Sequence, residues 1–285
     1  MQELPSKYTK LVDQYKPIEV EGFTLYPFGV DRYEEYLIAS RAIGYMQQQL
    51  PIELMTIPLL SAFFQMDLQR AKEKKAPTGL FTSAVMSLVL ALRLAEEGED
   101  VIDVCQGFVP LTSRDDQMKL KALAFKDADG NLRTITPSQF ATIRPVIAAQ
   151  NGIEIHDVLD NPELVQAEHD LAEKRAPKLD AKISDMIVAA AVLTHVDEEE
   201  VFSWPVLKLH RRLEIHRRIM DYQICAIAEG NGASWKGGNP APHPYHKRVK
   251  EGSDSLIGMD KFAGGRGLQA IQESGAFSDD ASENA

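Results

Sequence analysis

The chain has 285 residues, 44% of them hydrophobic, with 42 acidic and 31 basic side chains and a formal net charge of -11. That apolar content excludes a wholly disordered chain, and the acidic balance argues against a general nucleic-acid binder, whose phosphate contacts need positive surface. Two cysteines, Cys105 and Cys225, make neither a disulfide framework nor a zinc cluster and point to a reduced, cytosolic setting.

The opening MQELPSKYTKLVDQYKP carries charges throughout and lacks the apolar run of a signal peptide. Residues 54–66 and 80–92 are each 13 uncharged residues long, and 186–193 holds eight. A spanning helix needs about 20 mostly apolar residues, so all three read as buried helices and no membrane partner is expected.

In chain order, the arm holding Pro5 and Pro17 is expected to be irregular. Ile18 to Phe28 alternates in part and reads as a strand or short hairpin bent at Gly22. Asp31 and Glu34 stand at capping-box spacing and open a helix expected to reach about Gln49. Pro51 opens the next helix, to about Lys75, and Pro58 kinks it or resets its start. A third helix is expected from Leu80 to Glu97, stopped by Gly98.

Val101 to Cys105 is short and β-branched and reads as a strand. Lys119 to Phe125 alternates, Asp129-Gly130 is a hairpin turn signal, and Leu132 to Ile135 is the return strand. Thr136-Pro137 opens a helix whose buried face is Phe140, Ile143, Ile147 and Ala148, stopped by Asn151-Gly152. An acidic helix follows from Asn161 to about Lys174, then an apolar one from Leu179 to Thr194. Asp197 is expected to cap a short element. Trp204-Pro205 leads into the longest helix, to about Glu229. There Val206, Leu209, Leu213, His216, Met220, Ile224 and Ile227 form a stripe at steps of three and four.

After Gly230 the composition changes. Ten of the 18 glycines fall in 230–285, with Pro240, Pro242 and Pro244, and apolar periodicity ends. This segment holds six basic and seven acidic residues, while 1–229 holds 25 and 35. The acidity therefore belongs to the helical body. The expected fold class is α+β, mainly α-helical, with a small hairpin element, a helical C-terminal half and an extended tail. Its parts are 1–115, 116–229 and a flexible 230–285.

The densest basic run holds Lys208, Arg211, Arg212, Arg217 and Arg218. It reads first as a solvated helix face pairing with the acidic 157–173 and 197–200 segments. Its functional reading is a docking face for an acidic partner, with protein favoured over nucleic acid because no helix-turn-helix or RNA-binding aromatic pattern accompanies it. His216 reads as a packed, hydrogen-bonded core histidine. His243 and His246 lack the further ligands that a metal needs. Asp127-x-Asp129-Gly130-Asn131 resembles half a calcium loop, but Leu132 and Ser138 stand where Gly and Glu are required, so a hairpin turn explains it. Gly264-Gly265-Arg266-Gly267 follows no strand and is not a phosphate loop. No nucleophile motif occurs and no cofactor is implied, so the chain reads as non-enzymatic.

From Thr134 through His246 the order is a hairpin, a helix with Phe140 and Ile143-Arg144, Gln150-Asn151, an acidic spacer, the Ile183 to Thr194 helix, and the Asp197 to Glu200 turn. The long helix through Tyr222-Gln223-Ile224 follows, and GNPAPHPYHKR closes the domain. With LYPF at Leu25 to Phe28 and the helix carrying Tyr33 and Tyr36, this order resembles tail assembly chaperones of phages and prophages of Gram-positive bacteria. The helices at 51–75 and 78–97 are longer and more apolar than that family leads one to expect.

The resemblance implies a cytoplasmic, non-enzymatic protein that coats the phage tape-measure protein and recruits tail-tube subunits through an extended C-terminal region. Trp235, Tyr245 and Phe262 in that region join the basic run as expected partner-binding residues. A structural tail or baseplate component and an enzyme whose site is assembled from distant residues are the alternatives. Self-association is left open.

Overall fold

The computed structural model describes residues 5–96, 98–113, 119–155, 167, 182–234 and 241. It is α+β and mainly helical, with one two-stranded and one three-stranded antiparallel sheet. The chain divides into two compact units, Met1–Arg217 and Arg218–Ala285, where the sequence pattern places boundaries at 115 and 229.

The N-terminal arm is helical rather than irregular. Pro5 occupies the N-cap of α1 (Ser6–Asp13), where a missing N–H costs nothing, and Pro17 lies beyond the left-handed Tyr15 that ends it. The two prolines frame the helix instead of breaking it. Strands β1 (Ile18–Val20) and β2 (Phe23–Leu25) pair through a two-residue turn. Glu21 and Gly22 both have positive φ, 54° and 77°, as that turn requires.

The expected capping box at Asp31 does not form. Residues Val30–Arg32 make a 3-10 turn, and α2 (Tyr33–Ile43) starts behind it with no side-chain cap. The helix also ends before Gln49, because Arg144 reaches across and donates to the carbonyls of Ile43 (2.8 Å) and Tyr45 (2.5 Å). Pro58 resets the next helix: α3 spans Leu59–Lys72 behind it, and Pro51 precedes only the short Ile52–Leu54 turn. Helix α4 (Leu80–Ala91) is buried on nearly all sides and stops well before Gly98. Arg93 takes the left-handed conformation (φ 51°), and Leu94 N–H returns to the Val89 carbonyl at 3.0 Å, closing the helix.

Val101–Gln106, whose β-branched residues suggest a strand, is helix α5. The Asp100 carboxylate accepts from Ile102 N–H at 2.8 Å, and an N-cap of that kind outweighs the weak β propensity of three residues. Strand β3 (Val109–Thr112) carries Pro110 and has no clear signal in the sequence. It is an edge of the sheet ordered β3-β4-β5, a position that tolerates proline. Strands β4 (Leu120–Lys126) and β5 (Leu132–Ile135) form the expected hairpin. Asp127 closes its loop by accepting from the N–H groups of Asp129 and Asn131 at 3.1 and 2.8 Å.

Helix α6 (Pro137–Asn151) begins and ends where its sequence signals put it. Thr136 Oγ1 accepts from Gln139 N–H, and Gln139 Oε1 accepts from Thr136 N–H at 3.0 Å, so the pair forms a capping box. Gly152 terminates the helix at φ 68°, where an added Cβ would meet Leu207 Cδ1 at 2.9 Å. Phe140, Ile143, Ile147 and Ala148 are all buried.

Helices α7 (Ile183–Thr194), α8 (Glu198–Phe202) and α9 (Val206–Gly230) follow. Ile187, Ala190 and Ala191 of α7 are buried and Ile183 and Met186 pack against them. Asp197 is the N-cap residue of α8, but its side chain makes no capping bond. The expected Asn161 to Lys174 helix and the start of the Leu179 helix lie outside the described residues.

One hydrophobic core in the first unit includes Leu25, Phe63, Leu88, Leu123, Phe140 and Leu209. The end of α6 fastens the N-terminal hairpin to it. Asn151 Oδ1 accepts from Phe28 N–H at 2.7 Å, and Gln150 Nε2 donates to the carbonyls of Lys16 and Leu25. The chain before α9 is tied to the same place: Val30 N–H bonds the Trp204 carbonyl and Val206 N–H the Phe28 carbonyl, both at 2.9 Å.

Candidate interaction surfaces

Helix α9 is the element on which the sequence pattern places most partner-binding residues. Val206 and Leu209 are fully buried, and Leu213 packs partly against the core. The basic residues of its first turns are largely engaged within the fold. Lys208 Nζ lies 3.7 Å from the ring centroid of Trp204, itself only 4% exposed. Burial holds the Lys208 ammonium below its ordinary range, Glu200 opposes that shift, and Arg212 adds to it. Arg211 pairs with Asp13 at 3.1 Å and leans on the Tyr15 ring. Arg217 bonds Glu214 one turn back at 3.2 Å. The expected pairing with the 197–200 segment thus reduces to the field of Glu200 at Lys208, and Asp13 is an acceptor that sequence proximity does not suggest. Residues 157–166 and 168–173 lie outside the described residues.

His210, on the same helix, completes an aromatic cluster with α2. Its Nε2 lies 3.0 Å from Tyr33 Oη, and its ring meets Tyr33 and Tyr36 edge-on at 5.7 and 5.9 Å between centroids. Burial lowers its pKa from the ordinary 6.5, and burial raises those of both tyrosines. The apolar periodicity of α9 singles out His216 instead. Both histidines are half-buried, but the side-chain hydrogen bond and the ring contacts belong to His210, and the His216 side chain makes no hydrogen bond among the described residues.

In the second unit, the described part is the distal turns of α9 and the residues just after it. The apolar stripe continues there but is not buried. Met220 is 42% exposed, Ile224 60% and Ile227 65%. Isolated exposed apolar residues are ordinary; here three stand at steps of four and three on one helix face and form a continuous exposed apolar stripe. Arg218 also belongs to this unit. Trp235, Tyr245 and Phe262 lie outside the described residues, as do His243, His246 and the Gly264 to Gly267 run.

A cleft of about 490 Å3 opens in the first unit between the Pro27 to Arg32 loop, the end of α4 and α8. Phe28, Val89 and Leu90 line its apolar part, and Phe202, 47% exposed, stands at its lip. Asp31, Arg32, Arg93, Glu199 and Ser203 supply the polar lining.

Among the described residues no three His, Cys, Asp or Glu side chains gather as a metal would require. Burial, helped by Asp100, pushes the Cys105 thiol up to about 11 and away from nucleophilic use. No helix among the described residues is long and apolar enough to cross a membrane. No family model, curated protein or solved structure matches the chain.

Proposed function

We propose that the chain acts in the host cytosol as a non-enzymatic phage tail assembly chaperone, binding the tape-measure protein and recruiting tail-tube subunits. The observation that supports it is the exposed Met220, Ile224 and Ile227 stripe on α9. An amphipathic helix whose apolar face is left open is suited to lie along another helix, reading it through residues at steps of three and four. A tape-measure protein is long and helical, and its apolar faces need cover before a tail tube exists around it. The glycine- and proline-rich 230–285 segment follows the stripe directly in sequence and is where we place the contact with tail-tube subunits.

The test is co-expression with a candidate tape-measure protein and a tail-tube protein, followed by affinity capture. Capture of the tape-measure protein is expected, and Ile224→Ser with Ile227→Ser should reduce it at least tenfold, as loss of two interface anchors does. Both side chains are mostly exposed, so the fold should be unaffected. Failure of the parent chain to capture it, or equal capture by the doubly substituted chain, overturns the reading.

A further inference from the structure

We infer that the outward face of the three-stranded sheet is a second protein-docking site, and that its occupant is an amphipathic helix with acidic residues beside its apolar ridge. This stands on the first unit alone and does not depend on the tape-measure reading. The strand register assigns the faces. Ala124 pairs with Val109 and Thr134, Ala122 with Leu111, and Lys126 with Leu132, so these side chains share one face. The other face carries Leu123, Phe125 and Ile135 into the core. Where one face of an antiparallel sheet meets water, its positions are expected to be polar. Here only Thr134 and Lys126 are, while Val109 is 55% exposed, Leu111 42% and Leu132 74%. Ala122 and Ala124 are buried but outside that core, and form a low floor between the taller side chains.

Shape and charge name the occupant. The outer strands β3 and β5 stand two strand spacings apart, about 10 Å, and four residues run about 14 Å. An α-helix is about 10–12 Å across and covers that length in about three turns. A patch of this size is far below the roughly 800 Å2 per partner that a stable dimer buries, which sets aside a second copy packed sheet on sheet. Lys126 is the one charged side chain on the face, and exposed Lys121 sits beside Ala122 where the register shifts. No strand of this sheet holds an acidic residue. Asp127 and Asp129 stand in the hairpin loop beyond Lys126, where Asp127 Oδ1 turns to its own loop's N–H groups. Arg133 serves the other face, donating to the Gly22 carbonyl at 2.8 Å and covering the Phe23 ring. Residues 114–118, between β3 and β4, lie outside the described residues. The face thus sets ammonium groups beside apolar surface, which favours an acidic helix and repels a basic one.

Two labelled synthetic helical peptides with one leucine ridge test it, one flanking the ridge with glutamate and the other with glutamine. Fluorescence anisotropy with the full chain should show the leucine–glutamate peptide binding at least threefold more tightly than the leucine–glutamine peptide. The net charge of -11 acting alone would give the opposite order. Leu132→Ser should lower the leucine–glutamate affinity about tenfold, and Leu132→Met should restore most of it. Lys126→Glu should bring the two peptides within about twofold of each other. Ile224→Ser with Ile227→Ser, on the α9 stripe, should leave the leucine–glutamate affinity within about twofold, which separates this site from the tape-measure reading. Absence of leucine–glutamate binding, equal or tighter binding of the glutamine peptide, or an equal loss from the α9 variant overturns the proposal. Should Leu132→Ser fail to fold, the surface substitution Lys126→Glu decides alone: an intact preference for glutamate in that variant overturns the proposal.

Discussion

Asn151→Leu should destabilise the first unit by about 2–3 kcal/mol. Asn151 is fully buried, and its Oδ1 accepts from the Phe28 N–H at 2.7 Å across 123 residues of sequence. Leucine has similar volume, so little cavity forms and the packing cost is small. What changes is the Phe28 N–H, which is left in the core without an acceptor. An orphaned buried donor costs about 1–3 kcal/mol, against about 1 kcal/mol for an ordinary hydrogen bond exchanged with water. The Ile147 carbonyl also loses Asn151 Nδ2 at 2.8 Å, a smaller matter because that carbonyl has a helical partner to fall back on. The neighbouring Gln150→Met is the control. It removes donors to the Lys16 and Leu25 carbonyls, yet it also removes Oε1, a buried acceptor that finds no partner. Its cost should be about 1 kcal/mol or less. Urea unfolding followed by tryptophan fluorescence should show a lower midpoint for Asn151→Leu at unchanged slope. Calorimetry should show a Tm lower by about 4–12 °C, at about 2–4 °C per kcal/mol for a unit of this size. If Gln150→Met proves as damaging as Asn151→Leu, the hydrogen bond to Phe28 does not hold the hairpin in place.

Thr136→Ala should cost about 1 kcal/mol by removing the capping box of α6, and Thr136→Ser should recover most of it in the same urea assay. His210 has its pKa lowered by burial, so the unfolded chain binds a proton more readily than the folded one. The stability it contributes is present above the ordinary 6.5 and is lost as pH falls below that value. Unfolding midpoints measured from pH 8 to pH 5 should therefore fall, with His210→Gln flattening the slope through this window. Mass spectrometry of purified phage particles should find the chain absent or scarce relative to tail-tube protein, since an assembly chaperone leaves the finished tail; abundance in particles would favour a structural tail role.

The elements legible in the sequence are those whose signals are local. The Glu21-Gly22 hairpin, the Thr136 box, the Asp129-Gly130 turn and the Gly152 stop each bring their hydrogen bonds within a few residues. The misplaced boundaries have partners far away in the chain. Helix α2 stops at Ile43 because Arg144, 101 residues later, takes its terminal carbonyl. Helix α4 stops at Ala91 because a non-glycine residue, Arg93, enters the left-handed region while its guanidinium covers Tyr26. The α9 stripe is visible along its whole length, but periodicity reports which face is apolar and not how far along the helix that face is covered. Leu213 packs partly against the core, whereas Met220, Ile224 and Ile227 of the same stripe are open, even though Cys225 between them is buried.

The same distinction separates the two charged surfaces. The basic run on α9 is conspicuous because its cations are contiguous in sequence, and contiguity says nothing about their neighbours in space. Asp13 and Trp204 come from outside the run to meet Arg211 and Lys208: the carboxylate answers the charge of Arg211, as Glu214 does that of Arg217, while the neutral Trp204 ring only fixes where Lys208 sits. Exposed pairs of this sort contribute little stability, about 0–1 kcal/mol, yet they weaken the field that an outside partner meets. The carboxylates about the cleft are the reverse case. Asp31, Glu96 and Glu199 are 65 and 103 positions apart in sequence, and no window of the chain displays them as a cluster. The fold brings Asp31 and Glu199 into the lining of one cleft by placing the 27–32 loop against the start of α9 through the Gly29 and Pro205 bridge, and it ties Arg32 to the Glu96 and Glu99 carbonyls. Arg32 is fixed by those carbonyls yet keeps its charge, so in the lining it and Arg93 stand against Asp31 and Glu199, a balance that no run of like charge in the sequence announces.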